Sequence, residues 1–464
     1  MLKTIIMAAG EGTRMKSSKS KVLHKILNKE IIKYVYEAAD FDDSDTIIIA
    51  GKNISDIKNI YPDVTIAEQK IGKDYPYGTG YAASLALDYI EDDDQVLVLN
   101  GDIPLVTKES LEDFVDNHIA NNSSASVLST RVSNPKDYGR IIRDNNENFL
   151  AIIEQRDLTG NQDLIDEINT GVYIFKGSDL RESIEKLDTD NDQNELYLTD
   201  CIKILREEEK KVMAFVSEDP SEFYGINNKK ELNQAQRILQ QRINESYIND
   251  GVIIDYPEIT FIEPGVEIGQ DTIISGPVKI LGNSKIGDRC IIEGSSRIFD
   301  SIIDEDVKID NSVIEESKIG KGTDIGPFAH LRPKANLGNN VHIGNFVEVK
   351  NSTLGDGTKA GHLAYIGDAD LGKDINVGCG VIFVNYDGKF KHRSTVGDNA
   401  FVGSNSNIVA PVKIEDDSYI AAGSTITKDV ESGSLSIERA EQKNIAGYVE
   451  KKRKRDLEKQ KEIK

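Results

Sequence analysis

The hydrophobic pattern of the C-terminal half of the chain repeats every six residues. Seven isoleucines keep this spacing without a break: Ile262, Ile268, Ile274, Ile280, Ile286, Ile292 and Ile298. Each is followed four places later by a small or β-branched residue: Val266, Thr272, Val278, Ser284, Cys290, Ser296 and Ile302. A hexapeptide of this kind forms one short strand and one corner of a solenoid. Three such faces close a coil of about 18 residues with the aliphatic side chains inside, so the sequence predicts a parallel β-helix.

The repeat loses its phase between Asp300 and Gly320 and is looser where it resumes. Its later rungs are Ile325, Leu331, Leu337, Ile343, Val396, Val402, Ile408, Ile414, Ile420 and Ile426. The segment Asn385-Tyr386-Asp387-Gly388 breaks the spacing, so we predict a loop that protrudes from the coils there. Loops on a rigid scaffold are where binding residues collect.

The N-terminal half alternates short apolar runs with helical patterns. Strands are predicted at Leu2–Met7, Thr46–Ala50, Gln95–Leu99 and Ala125–Thr130, and helices at Tyr81–Ile90 and Lys108–Ala120. This alternation predicts an α/β, Rossmann-like domain with a mainly parallel sheet. An amphipathic helix then bridges to the solenoid as a strut. We therefore expect an α/β domain at 1–227, a linker helix at 228–249, a β-helix domain at 250–447 and a charged tail at 448–464.

The chain is acidic overall, with a net charge of −23 and a sequence pI near 4.8. This charge argues against a general nucleic-acid or anionic-membrane binder, since both need an excess of positive charge. Only the tail from Lys451 to Lys464 is basic, and a solvated helix end explains it most simply. Three widely spaced cysteines, and the lack of a signal-like N-terminus or a membrane-length apolar run, favour the cytoplasm.

A glycine-rich turn follows the first predicted strand. Gly10 and Gly12 let backbone N–H groups approach an anion, and Arg14 adds positive charge, although an ordinary tight turn explains the glycines equally well. Lys21 favours the phosphate interpretation, because its ammonium is near enough in sequence to hold a triphosphate. Asp102 follows a strand at the sheet edge where ligands bind, and its carboxylate suits Mg2+ on nucleotide phosphates. A turn aspartate bound to backbone donors is the alternative.

Polar residues that suit acyl transfer gather in the second half of the solenoid. His362 can accept the proton of an amine nucleophile, and a carboxylate such as Glu348 can orient it. Arg332 and Lys350 are cations suited to a sugar phosphate. A lone histidine in a repeat is more often a surface residue, so the assignment of His362 depends on the motif Lys-Ala-Gly-His-Leu-x-Tyr-x-Gly-Asp around it. Cys379 suggests an acyl-cysteine intermediate, but a small packing residue is the simpler interpretation.

Several motifs resemble a known enzyme family. The runs Ala8-Ala9-Gly10-x-Gly12-Thr13-Arg14-Met15, Lys21-Val22-Leu23 and Gly101-Asp102-x-Pro104-Leu105 resemble the sugar-1-phosphate nucleotidyltransferases. Further matching runs are Tyr138-Gly139-Arg140-Ile141, Ile153-Glu154, Asn169-Thr170-Gly171-Val172-Tyr173 and Gly225-Ile226-Asn227-Asn228. With the solenoid, they resemble the family of bifunctional N-acetylglucosamine-1-phosphate uridylyltransferases and glucosamine-1-phosphate N-acetyltransferases, from residue 1 to about Gly447.

The resemblance implies a left-handed β-helix, although most parallel crossovers are right-handed. It implies acetyl transfer from acetyl-CoA to glucosamine-1-phosphate in the solenoid. Uridylyl transfer from UTP to the product would follow in the N-terminal domain, with Mg2+ and release of pyrophosphate. The final product, UDP-N-acetylglucosamine, is a precursor of peptidoglycan and lipopolysaccharide-type envelope polymers. Relatives are homotrimers with acetyl-transfer sites between neighbouring solenoids, so we expect a cytoplasmic homotrimer.

The resemblance also implies site residues in the N-terminal domain. Met7, Ala8, Ala9 and Gly10 would contact the uridine, and Arg14 and Lys21 the triphosphate. Gly78 and Thr79 would select uracil, Asp102 and Asn227 would bind Mg2+, and Gly139, Glu154 and Asn169 would bind N-acetylglucosamine. Gln69 is the candidate amide for reading the pyrimidine, but an apparent insertion, Lys70 to Tyr77, separates it from Gly78.

The solenoid residues implied by the resemblance fall into two sets. Arg332, Lys350, Tyr365 and Asn376 would hold glucosamine-1-phosphate, and Cys379, Asn385, Tyr386, Ser404, Ala422 and Arg439 would hold acetyl-CoA. Ser404 or Tyr386 would donate to the tetrahedral oxyanion, and transfer would be direct, without a cysteine intermediate. Lys391 and Arg393 either attract the coenzyme or belong to a solvated loop. The run Val381–Val384 departs from the Thr-Ile-Thr more usual in the family.

Two other functions stay open on the sequence. A glucose-1-phosphate nucleotidyltransferase whose solenoid only regulates or assembles would share the N-terminal motifs, but it has no need for Lys350, His362 and Asn385 together. A scaffold whose sites have decayed is the non-enzymatic alternative. Consumption of acetyl-CoA with glucosamine-1-phosphate separates both from the bifunctional enzyme.

Overall fold

The computed structural model of the chain describes residues 1–10, 12–42, 44–70, 72, 75–189 and 195–462. The chain divides into two compact units, residues 1–242 and 243–464, and the division falls inside one long helix, Lys229–Asn249. No helix among these described residues is long and apolar enough to cross a membrane.

The first unit contains eleven strands and six complete helices in its described part, and the long helix begins in it. The strands are β1 Leu2–Met7, β2 Lys25–Ile26, β3 Lys29–Glu30, β4 Ser44–Ala50, β5 Thr65–Glu68, β6 Gln95–Asn100, β7 Ala125–Arg131, β8 Arg140–Arg143, β9 Phe149–Ile153, β10 Glu167–Lys176 and β11 Val212–Ser217. The helices are α1 Ile31–Ala38, α2 Ile54–Ile60, α3 Thr79–Ser84, α4 Lys108–Ala120, α5 Gly177–Glu185, α6 Leu198–Glu207 and α7 Lys229–Asn249.

The main sheet of this unit has the strand order β11-β7-β10-β6-β1-β4-β5. Its pairs are parallel except for those of β10, which runs antiparallel to both β6 and β7. Ile5 and Ile6 are both fully buried but pack into different hydrophobic clusters, because neighbouring side chains of a strand point to opposite, covered faces. The predicted α/β domain with a mainly parallel sheet is therefore confirmed.

The helix predicted at Tyr81–Ile90 is shorter than expected. The structure has α3 at Thr79–Ser84 and a separate 3-10 turn at Leu87–Tyr89. Ser84 donates its hydroxyl to the carbonyl of Tyr81 over 2.7 Å, and a serine bonded back into the preceding turn disfavours continuation of the helix.

One edge of the sheet collects the predicted binding segments. Met7 ends β1 and pairs with both Ile49 of β4 and Asn100 of β6, so these three strands end together. Gln69 follows β5 at the same edge and donates its backbone N–H to Ala50 over 2.7 Å. Because β10 is antiparallel, its beginning, rather than its end, lies at this edge. The carboxyl ends of parallel strands are the ligand-binding side of such sheets.

The second unit is a solenoid of three parallel sheets, here called the first, second and third faces. In residues 250–447, all of which are described, the first face has eleven strands: Ile253–Ile254, Ile273–Ser275, Ile291–Glu293, Lys308–Asp310, Asp324–Ile325, His342–Asn345, Lys359–His362, Asn376–Val377, Phe401–Val402, Tyr419–Ile420 and Leu435–Ser436. The second has ten: Phe261–Ile262, Lys279–Leu281, Arg297–Phe299, Val313–Glu315, His330–Leu331, Glu348–Lys350, Tyr365–Gly367, Ile382–Val384, Asn407–Val409 and Thr425–Ile426. The third has nine: Glu267–Ile268, Lys285–Ile286, Ile302–Ile303, Lys318–Ile319, Asn336–Leu337, Thr353–Leu354, Ala369–Leu371, Ser394–Val396 and Lys413–Ile414.

The predicted isoleucine rungs fill the interior of the solenoid in one continuous cluster, with Ile268 only partly buried. Each fully buried aliphatic side chain contributes roughly 1.5–3 kcal/mol, so the ladder is the main source of stability for this unit. Beyond Ile298 the rungs are Ile303, Ile309, Ile314 and Ile319, so three of these four steps are five residues long rather than six. The prediction for Ile302 is therefore wrong: Ser301 takes the small inward position, and Ile302 is 45% exposed.

The predicted loop is confirmed as an excursion from the coils. Residues 385–393 lie between the strands Ile382–Val384 and Ser394–Val396, and Tyr386 pairs with Lys391 across the loop. Asp387 accepts hydrogen bonds from the backbone N–H groups of Lys389 and Phe390 at 2.8 and 2.7 Å. The backbone bonds and the nearby imidazole of His392 lower the pKa of Asp387 to about 2, so the turn of the loop is held by a carboxylate that is ionised at neutral pH. The tail beyond the coils forms one further helix, α8 Tyr448–Glu462.

Candidate functional sites

The glycine-rich turn after β1 brings a lysine into the first unit's site. Gly12 has a left-handed backbone with φ +59°, and a Cβ added to it would lie 2.7 Å from Cβ of Lys21. Only glycine leaves room for that approach. Ala8 and Ala9 are buried at the base of the turn, whereas Gly10 is exposed and has no heavy atom within 4 Å of an added Cβ. The backbone at Gly10 is thus open to a ligand.

Four predicted residues are linked through the Lys21 ammonium and one oxygen of Asn227. The ammonium of Lys21 donates hydrogen bonds to Asp102 Oδ2 and, over 3.1 Å, to Asn227 Oδ1. Arg14 donates Nη2 to the same Asn227 oxygen over 2.9 Å. The side chains of Lys21 and Asp102 are only 15% and 17% exposed, so their attraction is little weakened by water. The structure therefore brings together two cationic side chains and two side-chain oxygens, as expected for residues predicted to bind phosphates and a metal ion.

The position of Asn227 is set by the start of helix α7. Glu231 accepts from the backbone N–H of Asn227 over 2.6 Å and from Asn228 Nδ2 over 2.6 Å. Asn228 Oδ1 in turn accepts from the backbone N–H of Glu231 over 3.0 Å, which makes a reciprocal helix cap. Ile226 donates its N–H to the carbonyl of Asp102 over 2.9 Å, so the two predicted metal ligands are held by the backbone. The role of Glu231 was not predicted, although its place three residues after Asn228 is a recognisable capping signal.

Asn53 is a second unpredicted residue of this site. Its buried amide donates Nδ2 to the carbonyl of Ala8 over 3.0 Å and to Ser20 Oγ over 3.1 Å. Its Oδ1 accepts from Gly51 over 3.0 Å. One side chain thus joins both ends of the segment between β1 and Lys21. Nothing in the local sequence distinguishes Asn53 from an ordinary helix-capping asparagine.

A second cluster lies near the beginning of β10. A Cβ added to Gly139 would lie 3.5 Å from Glu154 Oε2 and 3.6 Å from Cβ of Asn169, so these three predicted residues surround one space. Asn169 donates its backbone N–H to the carbonyl of Gly139 over 2.9 Å and its Nδ2 to Tyr173 Oη over 2.7 Å. Burial, and then the charges of Asp157 and Asp200, raise the pKa of Glu154.

The predicted uracil-selecting residues are fixed by backbone contacts. Gly78 has φ +116°, and a Cβ there would lie 2.3 Å from the carbonyl oxygen of Leu196. Thr79 Oγ1 accepts from the N–H of Leu198 over 3.0 Å at the start of α6. Gln69 is buried at the end of β5. Of the apparent insertion between Gln69 and Gly78, the residues Ile71, Lys73 and Asp74 lie outside the described residues.

The second face of the solenoid carries a cluster of three cations. Arg332 and Lys350 occupy matching positions in adjacent coils, and Lys391 of the loop 385–393 approaches them. The neighbouring ammonium of Lys391, followed by burial and the charge of Arg332, lowers the pKa of Lys350, while Asp368 opposes the shift. Like charges held together in this way suit a dianionic phosphate. The approach of Lys391 to Lys350 was not predicted.

Two of the predicted charged residues already have a charged partner within this chain. Glu348 accepts a 2.8 Å hydrogen bond from Arg332, and its orientation of His362 stays a prediction. Glu348 and Arg332 lie on one face, in adjacent coils, whereas His362 ends a strand of another face. Arg393 is held by the carboxylate of Asp370 and by the carbonyl of Asn351 over 2.8 Å, so its charge is already neutralised by a neighbour.

The corner between the first and second faces stacks several predicted acetyl-transfer residues in one column. His362 pairs with Asn345 of the preceding coil. The backbone carbonyl of Leu363 accepts a hydrogen bond from the backbone N–H of Gly380. The backbone carbonyls of Cys379 and Ser404 accept hydrogen bonds from the backbone N–H groups of Asn405 and Gly423, over 2.7 and 2.8 Å respectively. His362, Cys379, Ser404 and Ala422 therefore occupy equivalent exposed positions in successive coils, about 4.8 Å apart. Arg439 reaches the end of the column, where it donates to the carbonyl of Ala422 over 2.9 Å.

The interpretation of Cys379 as a small packing residue is wrong. Its thiol is exposed, because the corner position before a left-handed glycine points away from the core, whereas Cys201 and Cys290 are buried. The His362 imidazole accepts or donates no hydrogen bond in the part of the chain that the structure describes, so it is open to a substrate.

The remaining predicted residues divide between two faces. Tyr365 lies on the second face, and Asn385, at the root of the loop, approaches its hydroxyl over 3.4 Å. Tyr386 is exposed on the loop. Asn376 instead lies on the first face, in a different sheet from Arg332 and Lys350. A single chain therefore does not bring Asn376 together with the other predicted sugar-binding residues.

Comparison with known proteins gives matches over both halves and over the whole chain. Residues 3–224 match the nucleotidyl transferase family, and residues 393–428 match the bacterial transferase hexapeptide repeats. The "Bifunctional protein GlmU" of Clostridioides difficile (strain 630) is 48% identical over 456 residues, which cover 98% of each chain. The protein of that name from Clostridium novyi (strain NT) is 44% identical over 97% of this chain and 98% of its own length. The one from Pediococcus pentosaceus is 45% identical over 97% of this chain and 96% of its own length. With the three stacked sheets, the hexapeptide match identifies the solenoid as a left-handed β-helix.

Proposed function

We propose, because this chain belongs to the family of bifunctional GlmU proteins, that each of its units carries the catalytic groups of one reaction. The chain is a bifunctional enzyme that transfers an acetyl group from acetyl-CoA to glucosamine-1-phosphate. It also transfers a uridylyl group from UTP to N-acetylglucosamine-1-phosphate and releases pyrophosphate. Its product serves cell-wall biosynthesis.

The first unit has the groups that uridylyl transfer requires. The strongest support is the convergence of Arg14, Lys21, Asp102 and Asn227. In this arrangement Arg14 and Lys21 neutralise the triphosphate, and the phosphate oxygen of the sugar attacks the α-phosphorus while pyrophosphate leaves. The protein contributes charge and position rather than a covalent intermediate.

The remaining residues of this unit bind the two substrates. Met7 to Gly10 and Gln69 contact the nucleoside at the sheet edge, with Gly78 and Thr79 beside it. Gly139, Glu154 and Asn169 surround the N-acetylglucosamine ring, and the Glu154 carboxylate accepts hydrogen bonds from its hydroxyl groups.

Asp102 and Asn227 suit a magnesium ion. Both already share one cation, the Lys21 ammonium, and both offer the hard oxygen atoms that Mg2+ prefers. No group of three or more His, Cys, Asp or Glu that could hold a metal occurs among the described residues, but Mg2+ on nucleotide phosphates needs only one or two protein carboxylates. When bound, the ion offsets the negative charge that develops on the phosphates.

The solenoid has the groups that acetyl transfer requires. Arg332, Lys350 and Lys391 bind the phosphate of glucosamine-1-phosphate, and Tyr365 contacts the ring. The amine nitrogen of glucosamine-1-phosphate attacks the acetyl carbonyl while His362 removes a proton from that nitrogen. Coenzyme A then leaves as its thiol. Ser404 or Tyr386 donates a hydrogen bond to the tetrahedral oxyanion. Cys379, Ala422 and Arg439 line the coenzyme along the corner of His362, and Asn385 contacts it from the corner between the second and third faces.

The acetyl-transfer site is completed by a neighbouring chain of a cytoplasmic homotrimer. Asn376 lies on another face from Arg332 and Lys350, which supports a site shared between solenoids. Phe328, Phe346 and Leu363, stacked in successive coils at the corner of His362, are 55%, 62% and 58% exposed, and such an apolar ridge suits a protein interface. The three free cysteines suit a reducing compartment.

Mixing two inactive variants tests both the site and the trimer. His362→Ala and Arg439→Ala each remove one part of the acetyl-transfer site, so each homotrimer should be inactive in acetyl transfer. If the two residues serve one site from different chains, subunits refolded together should regain activity in mixed trimers. A fully active monomer in sedimentation analysis, or no regain in verified mixed trimers, would contradict the shared site.

The regulatory-solenoid alternative is tested by one assay. Turnover of acetyl-CoA with glucosamine-1-phosphate, measured by free thiol release, requires a working solenoid. Absence of turnover in a preparation active in uridylyl transfer would favour a solenoid that only assembles the enzyme.

A further inference from the structure

Three polar residues stack at one corner of the solenoid. Asn351, Asp368 and Asn385 are spaced seventeen residues apart and occupy successive coils at the corner where the second face turns into the third. Asn351 donates its Nδ2 to one carboxylate oxygen of Asp368, and Asn385 donates its Nδ2 to the other. The loop 385–393 leaves the solenoid at this corner and returns to it, because Ser394 donates its N–H to the carbonyl of Asp368 over 3.2 Å.

The carboxylate in the middle of this stack is buried. Asp368 is 7% exposed and sits in a left-handed backbone with φ +50°, a conformation that aspartate tolerates. A buried charge is costly unless it is paired or hydrogen-bonded, and two amide donors together with the nearby charges of Lys350 and Arg393 meet that need. Asp368 belongs to the motif around His362, but no chemical step described above uses it.

A carboxylate in this position decides which way the Asn385 amide points. An ionised carboxylate only accepts hydrogen bonds, so the amide group that faces it must be the NH2. The second hydrogen of Nδ2 is directed at Tyr365 Oη, 3.4 Å away. The oxygen of the Asn385 amide is therefore turned away from Asp368, and it accepts no hydrogen bond in the part of the chain that the structure describes.

We propose that Asp368 is a positioning residue for acetyl transfer, which locks the Asn385 amide with its oxygen presented to an N–H group of a bound substrate. The proposal rests on the role of Asn385 in the acetyl-transfer site. Without Asp368 the amide is free to turn, and its NH2 would then face a substrate donor instead of an acceptor. The competing explanation is that the stack only joins three coils.

The test uses five variants and both activities of the full-length enzyme. Asp368→Asn keeps the size and the backbone preference of the residue but can offer only one acceptor oxygen. We expect kcat of acetyl transfer to fall about 10- to 100-fold, with KM for glucosamine-1-phosphate nearly unchanged, because a bound substrate is held but misaligned. Uridylyl transfer should keep its wild-type rate. Asp374→Asn, an exposed aspartate with the same left-handed backbone, is the matched control and should leave both activities unchanged.

A double-mutant cycle separates positioning from stacking. Asn385→Ala should itself lower acetyl transfer, and Asp368→Asn should cause almost no further loss in that background, because the amide it acts through is gone. The exchanged pair, Asp368→Asn with Asn385→Asp, restores an NH2 at position 368 facing an acceptor at position 385. It should be more active than Asp368→Asn alone.

The outcomes that overturn the proposal differ. Full activity of Asn385→Ala would remove the role of Asn385 on which the proposal rests. A loss in Asn385→Ala with full activity of Asp368→Asn would leave that role intact and overturn the positioning alone. If the losses of acetyl-transfer activity add in the double variant, Asp368 only joins the coils. The same conclusion follows if the loss tracks a lower unfolding temperature and the exchanged pair shows no gain in activity.

Discussion

Arg14 donates a 2.9 Å hydrogen bond to Oδ1 of Asn227, although 213 residues separate the two. The same oxygen accepts from Lys21 over 3.1 Å. The glycine-rich turn and the residues before helix α7 are therefore joined by the cations that we assign to the triphosphate. In the proposed reaction these cations exchange the Asn227 oxygen for phosphate oxygens when UTP binds, so the hydrogen bonds hold the side chains in place until substrate arrives.

Asp102→Ala should abolish uridylyl transfer and leave acetyl transfer unchanged. The variant removes the carboxylate that we propose binds Mg2+, and it leaves the Lys21 ammonium without its partner. We expect a loss of about 1,000-fold or more in kcat, measured by pyrophosphate release. Acetyl transfer by the same preparation is the internal control for folding. Retention of most of the uridylyl-transfer rate would exclude a metal-binding role for Asp102.

His362→Ala should have the opposite effect. Loss of the proton acceptor should lower kcat of acetyl transfer about 100- to 10,000-fold. His362 is exposed and forms no hydrogen bond within the described chain, so the unfolding temperature and uridylyl transfer should not change. Thiol release with glucosamine-1-phosphate measures the effect. A variant with the wild-type rate would show that another group accepts the proton.

Gly12→Ala should weaken UTP binding. The added methyl group forces a strained left-handed backbone, at a cost of about 1–2 kcal/mol, and meets Lys21 at 2.7 Å. We expect KM for UTP to rise about tenfold, in proportion to that energy. Gly160→Ala is the matched control, since Gly160 has φ +61° but no atom near an added Cβ. Equal effects of the two substitutions on KM would contradict a specific role for Gly12.

Alkylation of Cys379 should stop acetyl transfer selectively. Its thiol is exposed one coil from His362, whereas burial raises the pKa of Cys201 to about 12 and also raises that of Cys290, which makes both less reactive. Iodoacetamide should modify Cys379 first, as peptide mass spectrometry would detect, and acetyl-CoA should slow the reaction. Cys379→Ala should stay active and become resistant. An inactive Cys379→Ala variant would instead favour an acyl-cysteine intermediate.

His118 should make the first unit less stable in acid. The side chain is buried, and its Nε2–H donates to Gln95 over 2.9 Å while its Nδ1 accepts from Ser126 over 2.7 Å. Burial lowers the pKa of His118 from 6.5 to about 4. Between these values the unfolded chain binds a proton that the folded chain does not, so stability falls as pH falls through this range. The loss approaches about 3 kcal/mol near pH 4. In calorimetry from pH 7 to 4.5, His118→Gln should show a shallower fall in the unfolding temperature of the first unit, and an identical slope would contradict this assignment.

The repeat made much of the solenoid predictable. A six-residue spacing determines which side chain points inward, so the rungs from Ile262 to Ile298 could be assigned without a structure. The rungs from Ile303 to Ile319 could not, because removal of one corner residue shortens a step to five while the strand register is kept. Ile302 is exposed for that reason.

Side-chain contacts between coils were harder to predict than the coils themselves. The Arg332–Glu348 pair and the stack of Asn351, Asp368 and Asn385 depend on which residues share a column. That assignment requires the corner lengths, which the hydrophobic pattern does not define in this region. In the first unit, Asn53 acts through contacts with Ala8 and Ser20, which are distant in sequence, and no local pattern marks it.

Identification of the products by mass spectrometry tests the assignment of two linked reactions most directly. The full-length enzyme would receive glucosamine-1-phosphate, acetyl-CoA, UTP and Mg2+ together. We predict accumulation of UDP-N-acetylglucosamine, free coenzyme A and pyrophosphate, with N-acetylglucosamine-1-phosphate as the transient intermediate. Only unacetylated nucleotide sugar with acetyl-CoA left intact, or no nucleotide sugar at all, would contradict it.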